Sequence, residues 1–243
     1  MNEAIFALTL RQFAGQRRSL LLVGLALIPV ALAVIFRLGE HLDQQEETAN
    51  FLADIIVTAI LPLACLIIGT SALGSEIEDG TAVYILAKPV PRRAIIAAKF
   101  AASVLIAAAF VVPATVVSGL IGLQGVPNEG IVAGFTIAVL VGVFAYTAVF
   151  ILLSVATSRA LLIGLAYVFI WEGLITELFS GTRYLSIRQY CLGIADSIAS
   201  VSTQDFEASL GGPEAFLLAA GVAATAVFLA VRRLESFELT ETD

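Results

Sequence analysis

Four long stretches of the chain carry no charged residue: Ser19–Phe36, Ile55–Ser75, Phe100–Asn128 and Gly130–Ser158. A helix needs about 20 apolar residues to cross a hydrocarbon core roughly 30 Å thick, so each stretch is at or near the length of one span. Two shorter runs follow, Ala160–Thr176, interrupted by Glu172, and Ala215–Val231. The pattern predicts an all-α, polytopic membrane protein of one domain, residues 1–243. Its six transmembrane helices fall near 19–36, 53–75, 99–122, 131–157, 160–177 and 213–231.

The polar segments between these runs fix the rest of the organisation. In residues 1–18, Phe6, Leu10 and Phe13 recur on one helical face, with Glu3, Arg11, Gln12 and Gln16 elsewhere. Such a helix, ending in Arg17 and Arg18, is expected to lie in the plane of the membrane surface. The stretch QRRSLLLVGLALIPVALA has the order of a signal peptide, but its apolar run continues to Phe36 and is expected to stay as the first span. Val126–Gly130 and Thr157–Arg159 read as tight turns, and residues 178–212 as the largest outer segment, with an amphipathic middle. Gly130, Gly134, Ala138 and Gly142 place a small residue at every fourth position of the fourth span. That spacing lets backbones approach closely and predicts packing within the chain rather than a dimer seam.

Glu172 breaks the fifth run. A carboxylate at mid-span costs roughly 2.5–3.5 kcal/mol, less near an interface. The expected role is a snorkelling carboxylate that ends a short helix; the alternative is a gate or polar contact where the chain turns back.

Composition sharpens the class. The chain is 59% hydrophobic and 14% charged, against roughly 25% charged in soluble domains. Its net charge is −7, but bilayer orientation follows Lys and Arg in short loops. With the N-terminus inside, Arg11, Arg17, Arg18, Lys88, Arg92, Arg93, Lys99, Arg159, Arg232 and Arg233 fall on one side, and only Arg37, Arg183 and Arg188 on the other. Both termini are therefore expected in the cytoplasm. Cys65 and Cys191 are expected to be small buried hydrophobes, neither paired with each other nor bound to metal.

The chemistry the sequence lacks is informative. No G-x-x-x-x-G-K-[ST] loop is present, so no nucleotide site of that kind is encoded. The single histidine, His41, lies in a connection, which excludes a histidine-based metal or haem site within the spans. No Ser–His–Asp or Cys–His set can be assembled, and all spans but the fifth have charge-free interiors. The chain reads as no enzyme, with no cofactor of its own and no nucleic-acid partner. If it moves a solute, the energy comes from elsewhere.

One segment stands apart: GSEIEDGTAVYILAKPVPRRAIIAAKF, residues 74–100. Its centre, Thr81–Ala87, is an apolar turn expected in water, bounded by Glu76, Glu78, Asp79 and Gly80 on one side and by Lys88, Arg92, Arg93 and Lys99 on the other. An exposed apolar patch marks a contact surface, which here is either a protein partner or the membrane itself. The order E-x-x-x-G-T, apolar turn, K-P-V-P-R-R resembles the ABC-2 type exporter permeases. It looks closest to the branch associated with copper-enzyme maturation, whose loop reads GT…LL…RPVSR…K. The amphipathic N-terminus, W-E-G-L at Trp171–Leu174 and Y-L-S-I-R-Q-Y at Tyr184–Tyr190 extend the likeness over nearly the whole chain.

The resemblance implies a transmembrane subunit that works as a dimer, with a second copy or a paralogous permease, in contact with membrane lipid. ATP and Mg would be bound and ATP hydrolysed on a separate ABC ATPase subunit. It implies that residues 76–98 hold a cytoplasmic coupling helix. Glu76, Gly80 and Thr81 match the family's E-x-x-x-G-T; Tyr84, Ile85 and Leu86 match its apolar turn; Pro89, Arg92 and Lys99 match its basic exit. Pro91 stands where the family often has Ser. The function implied is export of an apolar or amphipathic solute across the plasma membrane. The rival is a non-transporting scaffold that couples an ATPase to a process at the outer face.

Overall fold

The computed structural model describes residues 17–39, 43–78, 91–178, 180–199 and 210–236. The expected interfacial helix lies outside these except for its last two residues, as does the apolar turn of the coupling segment. Helix α1 spans Arg17–Arg37. A second, continuous helix runs through three stretches: α2 (Gln44–Phe51), the π-helical π1 (Leu52–Ile60) and α3 (Leu61–Glu78). Then come α4 (Arg92–Gly122), α5 (Ile131–Ala156) and α6 (Ala160–Ala166), which passes into a second π-helical stretch, π2 (Tyr167–Ile175). Helix α7 (Thr176–Leu178) and a 3-10 turn (Ser180–Leu185) lead to α8 (Ile187–Ile198), and α9 (Gly212–Glu235) closes the order.

Among the described residues every regular element is helical, as the sequence predicts. Five of the described helices are long and apolar enough to cross a membrane: Leu20–Arg37, Gln44–Gly74, Arg92–Gly122, Ile131–Ala156 and Gly212–Glu235. The remaining expected span is the shorter apolar helix Ala160–Ile175. The chain is a multi-pass membrane protein.

Helix α5 is the hub, packed against α3, α4, α8 and α9. Phe135, Val139, Val143, Tyr146 and Phe150 bury one flank of it against Leu61, Cys65 and Ile68 of α3 and Ile187, Cys191 and Ile194 of α8. Helices α1 and α9 lie at the periphery with large exposed side chains such as Leu20, Leu27, Phe216 and Leu217. In lipid this is the favourable arrangement, since those side chains meet acyl chains rather than water.

The first π stretch has a local cause. Pro62 has no N–H to offer, and its ring would clash with the carbonyl four residues back. The helix before it widens instead: the Leu61 amide bonds to the Ile56 carbonyl, five residues back, and the Thr58 hydroxyl donates to Ala53 O at 2.9 Å. In π2 the Thr176 amide likewise reaches back five residues, to Trp171.

The small residues of α5 face α8, within the same chain. A Cβ added to Gly130 or Gly134 would lie 2.8 Å from the carbonyl oxygens of Ile198 and Ala195, and one at Gly142 would lie 2.7 Å from the Cys191 sulfur. Gly130 also has a φ of 83°, in the left-handed region that favours glycine. Gly134→Val is therefore expected to destabilise the protein by about 1–3 kcal/mol through overpacking against a backbone atom. Gly24→Ala on α1, with nothing within 4 Å of the new Cβ, is expected to stabilise its helix by roughly 0.5–1 kcal/mol. Thermal unfolding of the two variants in detergent separates these outcomes.

The contacts also give depth. Gly142 lies eleven residues past Ile131, about 16 Å along α5 at 1.5 Å per residue. Ile198 is therefore level with the start of α5, and Cys191 lies well inside the bundle. Residues 178–212 were expected as one outer segment; within them, α8 is packed among the spans with its N-terminus deepest.

Candidate functional site

At one end of the bundle the helices that enter and leave residues 79–90 are pinned to their neighbours. This end gathers Arg92, Arg93, Lys99, Arg159, Arg232 and Arg233, and is called the basic end below. Helix α4 begins directly after Pro91, whose φ of −61° and ψ of 134° suit the position before a first turn. The Pro91 carbonyl accepts the Ala94 amide at 2.8 Å. Arg92, the first residue of α4, donates from its guanidinium to Leu234 O at 2.6 Å, in the last turn of α9. A cation on the carbonyls that end a helix satisfies acceptors with no partner in the helix and complements its dipole.

Two turns further, Lys99 is 1% exposed, and its ammonium donates to the Ala72 carbonyl of α3 at 2.5 Å. A buried cation so placed clamps α3 to α4 just where the chain leaves and re-enters the bundle. Between these bonds, Ala72, Leu73, Ile96, Ile151, Val155, Ala230 and Leu234 form a separate apolar cluster joining α3, α4, α5 and α9.

Arg92→Ala is expected to remove a charge-assisted hydrogen bond worth about 1.5–3 kcal/mol. Hydrogen exchange at residues 231–236 is expected to speed up about tenfold or more, with α5 unchanged.

Of the coupling residues expected from sequence, the structure places Arg92 in this frame. It also places the backbone of Glu76 in the last turns of α3, one helical turn beyond Ala72. Gly80, Thr81, Tyr84, Ile85, Leu86 and Pro89 lie outside the described residues, as does the side chain of Glu76.

Glu172 sits elsewhere, and its environment corrects the snorkelling expectation. It is 3% exposed, and the helix does not end there. The chain continues to Leu178, doubles back through the 3-10 turn, and brings Leu185 and Ser186 beside Trp171 and Glu172. The Trp171 indole N–H donates to Leu185 O at 3.3 Å. Oε1 of Glu172 accepts the Tyr167 hydroxyl at 2.8 Å and the Ile187 amide at 3.0 Å. Oε2 accepts the Ser186 hydroxyl and the Arg188 amide, the latter at 3.4 Å.

The carboxylate thus occupies the N-terminus of α8, where unpaired amides and the helix dipole favour an anion. Ser186 serves twice: it donates to Glu172 and accepts the Gln189 amide at 3.2 Å as the N-cap. The π geometry matters here. Residues five apart are turn neighbours in a π-helix but point away from each other in an α-helix, so only π2 sets Tyr167 against Glu172. Four hydrogen bonds offset a burial that water otherwise would.

Sequence reasoning missed four contacts of these two sites. The clamp of Lys99 on Ala72, the bond of Ser186 to Glu172 and the contact of Arg188 with Asp54 at 4.0 Å join residues distant along the chain. The Ser186 cap on the Gln189 amide is local, and the S-x-x-Q order of residues 186–189 is its signal. No group of three or more metal-binding side chains occurs among the described residues.

The family model described as ABC-2 family transporter protein matches residues 16–173, well over half of the chain. No curated protein matches the chain. The matched segment contains α1 to α6, both flanks of residues 79–90, and Glu172 near its last residue.

Proposed function

From the premise that this chain belongs to the ABC-2 family of transporter proteins, and is the permease component of an ABC transporter, we propose that it exports an apolar or amphipathic solute. ATP binding and hydrolysis take place on a separate ABC ATPase subunit. The basic end faces the cytoplasm, with both termini, and the membrane is the plasma membrane. Two permease chains form the pathway together.

The observation that carries the coupling reading is the pair of bonds around residues 79–90. Lys99 fastens α4 to α3 and Arg92 fastens α4 to α9. Force applied to the segment between α3 and α4 therefore reaches three helices at once. Thr81–Leu86 form the face gripped by the ATPase, with Gly80 and Pro89 setting its ends and Glu76 and Arg92 its polar frame.

The charge-free runs of the spans favour an apolar cargo. Of the span hydroxyls, Thr115, Thr136 and Ser154 each donate to a carbonyl of their own helix, at 2.8, 2.6 and 2.7 Å, while those of Ser103, Ser118 and Tyr146 are buried without a hydrogen-bond partner among the described residues.

The test is purification of the chain from its native membrane in mild detergent, with the accompanying proteins identified by mass spectrometry. A subunit carrying a nucleotide-binding P-loop supports the reading. Its absence from a folded, oligomeric preparation overturns it, and ATP turnover by the complex without solute flux favours the scaffold.

A further inference from the structure

We propose that the seam where α4 begins and α9 ends is a binding site for the phosphate headgroup of an anionic phospholipid. Lipid binds there whether or not the chain is a permease. The bond of Arg92 to Leu234 O, 2.6 Å long, sets the first turn of α4 against the last turn of α9. Arg92 and Arg93 open α4, and Arg232 and Arg233 lie in the last turn of α9, so four guanidiniums gather at one seam. Arg93, Arg232 and Arg233 are exposed. Among the described residues no carboxylate pairs with these three, and Glu235 is the one acid of the two turns.

Local forces account for only part of this charge. Arg232 and Arg233 complement the negative end of the α9 dipole, and Arg92 serves one of its last carbonyls. Arg93 has no such role. It stands with Arg92 at the positive end of α4, whose first turn holds no acid, and a cation is disfavoured there. An anion shared across the seam relieves the repulsion. Guanidinium suits phosphate in particular, through paired N–H bonds of matching geometry.

Depth selects a lipid over a soluble anion. Helix α9 is long and apolar enough to cross the membrane, and the arginines fall in its last turn. Arg232 lies one turn beyond Phe228, about 5 Å further along the axis, with its guanidinium carbon 5.1 Å from the centre of that ring. Phe228 and Leu229 are 56% and 45% exposed, and in a bilayer they meet acyl chains. The arginines therefore stand at the level of the headgroups, where basic residues beside a span attract anionic lipid. A phospholipid makes both contacts at once, phosphate on the arginines and acyl chain along Phe228 and Leu229. Inorganic phosphate makes only the first.

The test is native mass spectrometry of the full chain released from micelles holding equal amounts of dioleoyl phosphatidylglycerol and dioleoyl phosphatidylcholine. The wild type is expected to retain phosphatidylglycerol about tenfold over phosphatidylcholine. Arg232→Gln/Arg233→Gln is expected to lose that preference about tenfold, as loss of charge-assisted hydrogen bonds implies. Arg93→Gln is a second variant with the same expected direction. Arg159→Gln removes the same charge from the turn between α5 and α6 and is expected to change nothing. Hydrogen exchange gives the location: phosphatidylglycerol is expected to slow residues 92–96 and 230–236 in the wild type alone.

No preference between the two lipids in the wild type overturns the proposal. Equal loss in Arg159→Gln also overturns it, since the basic end then attracts anionic lipid only as a whole. So does slowing of the same residues by inorganic phosphate in phosphatidylcholine alone, which makes the ligand a soluble anion. Glu238, Glu241 and Asp243 follow α9 in sequence. Preference that emerges only in Glu238→Gln/Glu241→Gln/Asp243→Asn gives the arginines to this segment instead. Loss of a co-purifying ATPase from Arg232→Gln/Arg233→Gln, with lipid preference unchanged, gives them to a protein, and both results contradict the proposal.

Discussion

Glu172→Ala is expected to lower the stability of the protein by about 3–5 kcal/mol. The magnitude follows from what the substitution leaves behind. The Tyr167 and Ser186 hydroxyls and the Ile187 and Arg188 amides lose their acceptor together. Each buried donor without a partner costs about 1–3 kcal/mol, and partial rearrangement toward water reduces the sum. The loss is expected to be local first. The hairpin from Trp171 to Ser186 and the first turn of α8 open before α5 does, because α5 is held by four other helices. Hydrogen exchange in detergent reads this directly, as a gain at residues 186–190 that exceeds the gain at 139–150. Uniform exchange across both regions contradicts it.

The second large effect concerns the partner. Tyr84→Asp is expected to weaken association with the ATPase by roughly a hundredfold or more while leaving the thermal midpoint of the isolated chain unchanged. If the Tyr84 ring is buried in the partner, the aspartate carries an uncompensated charge into that apolar contact. A buried charge without its partner costs about 3–5 kcal/mol, and each 1.4 kcal/mol is tenfold in affinity. The measurement is ATPase recovered per permease at matched expression. Full recovery in the variant means Tyr84 is not in the contact.

Much of the architecture was legible because lipid imposes a simple rule. Backbone polar groups must be satisfied within each helix, so long charge-free runs become spans. Five did so, and the glycines of α5 face a helix of the same chain, as their spacing suggested. The fate of Glu172 was not legible. Two facts hid it: π2 changes the period, so that Tyr167 and Glu172 share a face only there, and the hairpin returns Ser186 to Glu172 from fourteen residues away. Amphipathicity in 187–198 was visible but misplaced the helix, since an apolar face fits either a membrane surface or a groove lined by glycines. Lys99 was assigned to the basic exit from the resemblance; its burial depends on α3 passing within reach. Of the coupling segment, the sequence and the family remain the guides, with Arg92 tying its exit to α9.

The central claim is that residues 81–86 touch the ATPase in the assembled membrane complex, and a photo-reactive benzophenone side chain in place of Tyr84 tests it most directly. Irradiated in native membranes, it is expected to join this chain to the P-loop subunit, and the adduct is expected to vanish when that subunit is absent. Adducts with lipid alone, in membranes where the ATPase is present, would place the segment on the bilayer surface and contradict the account.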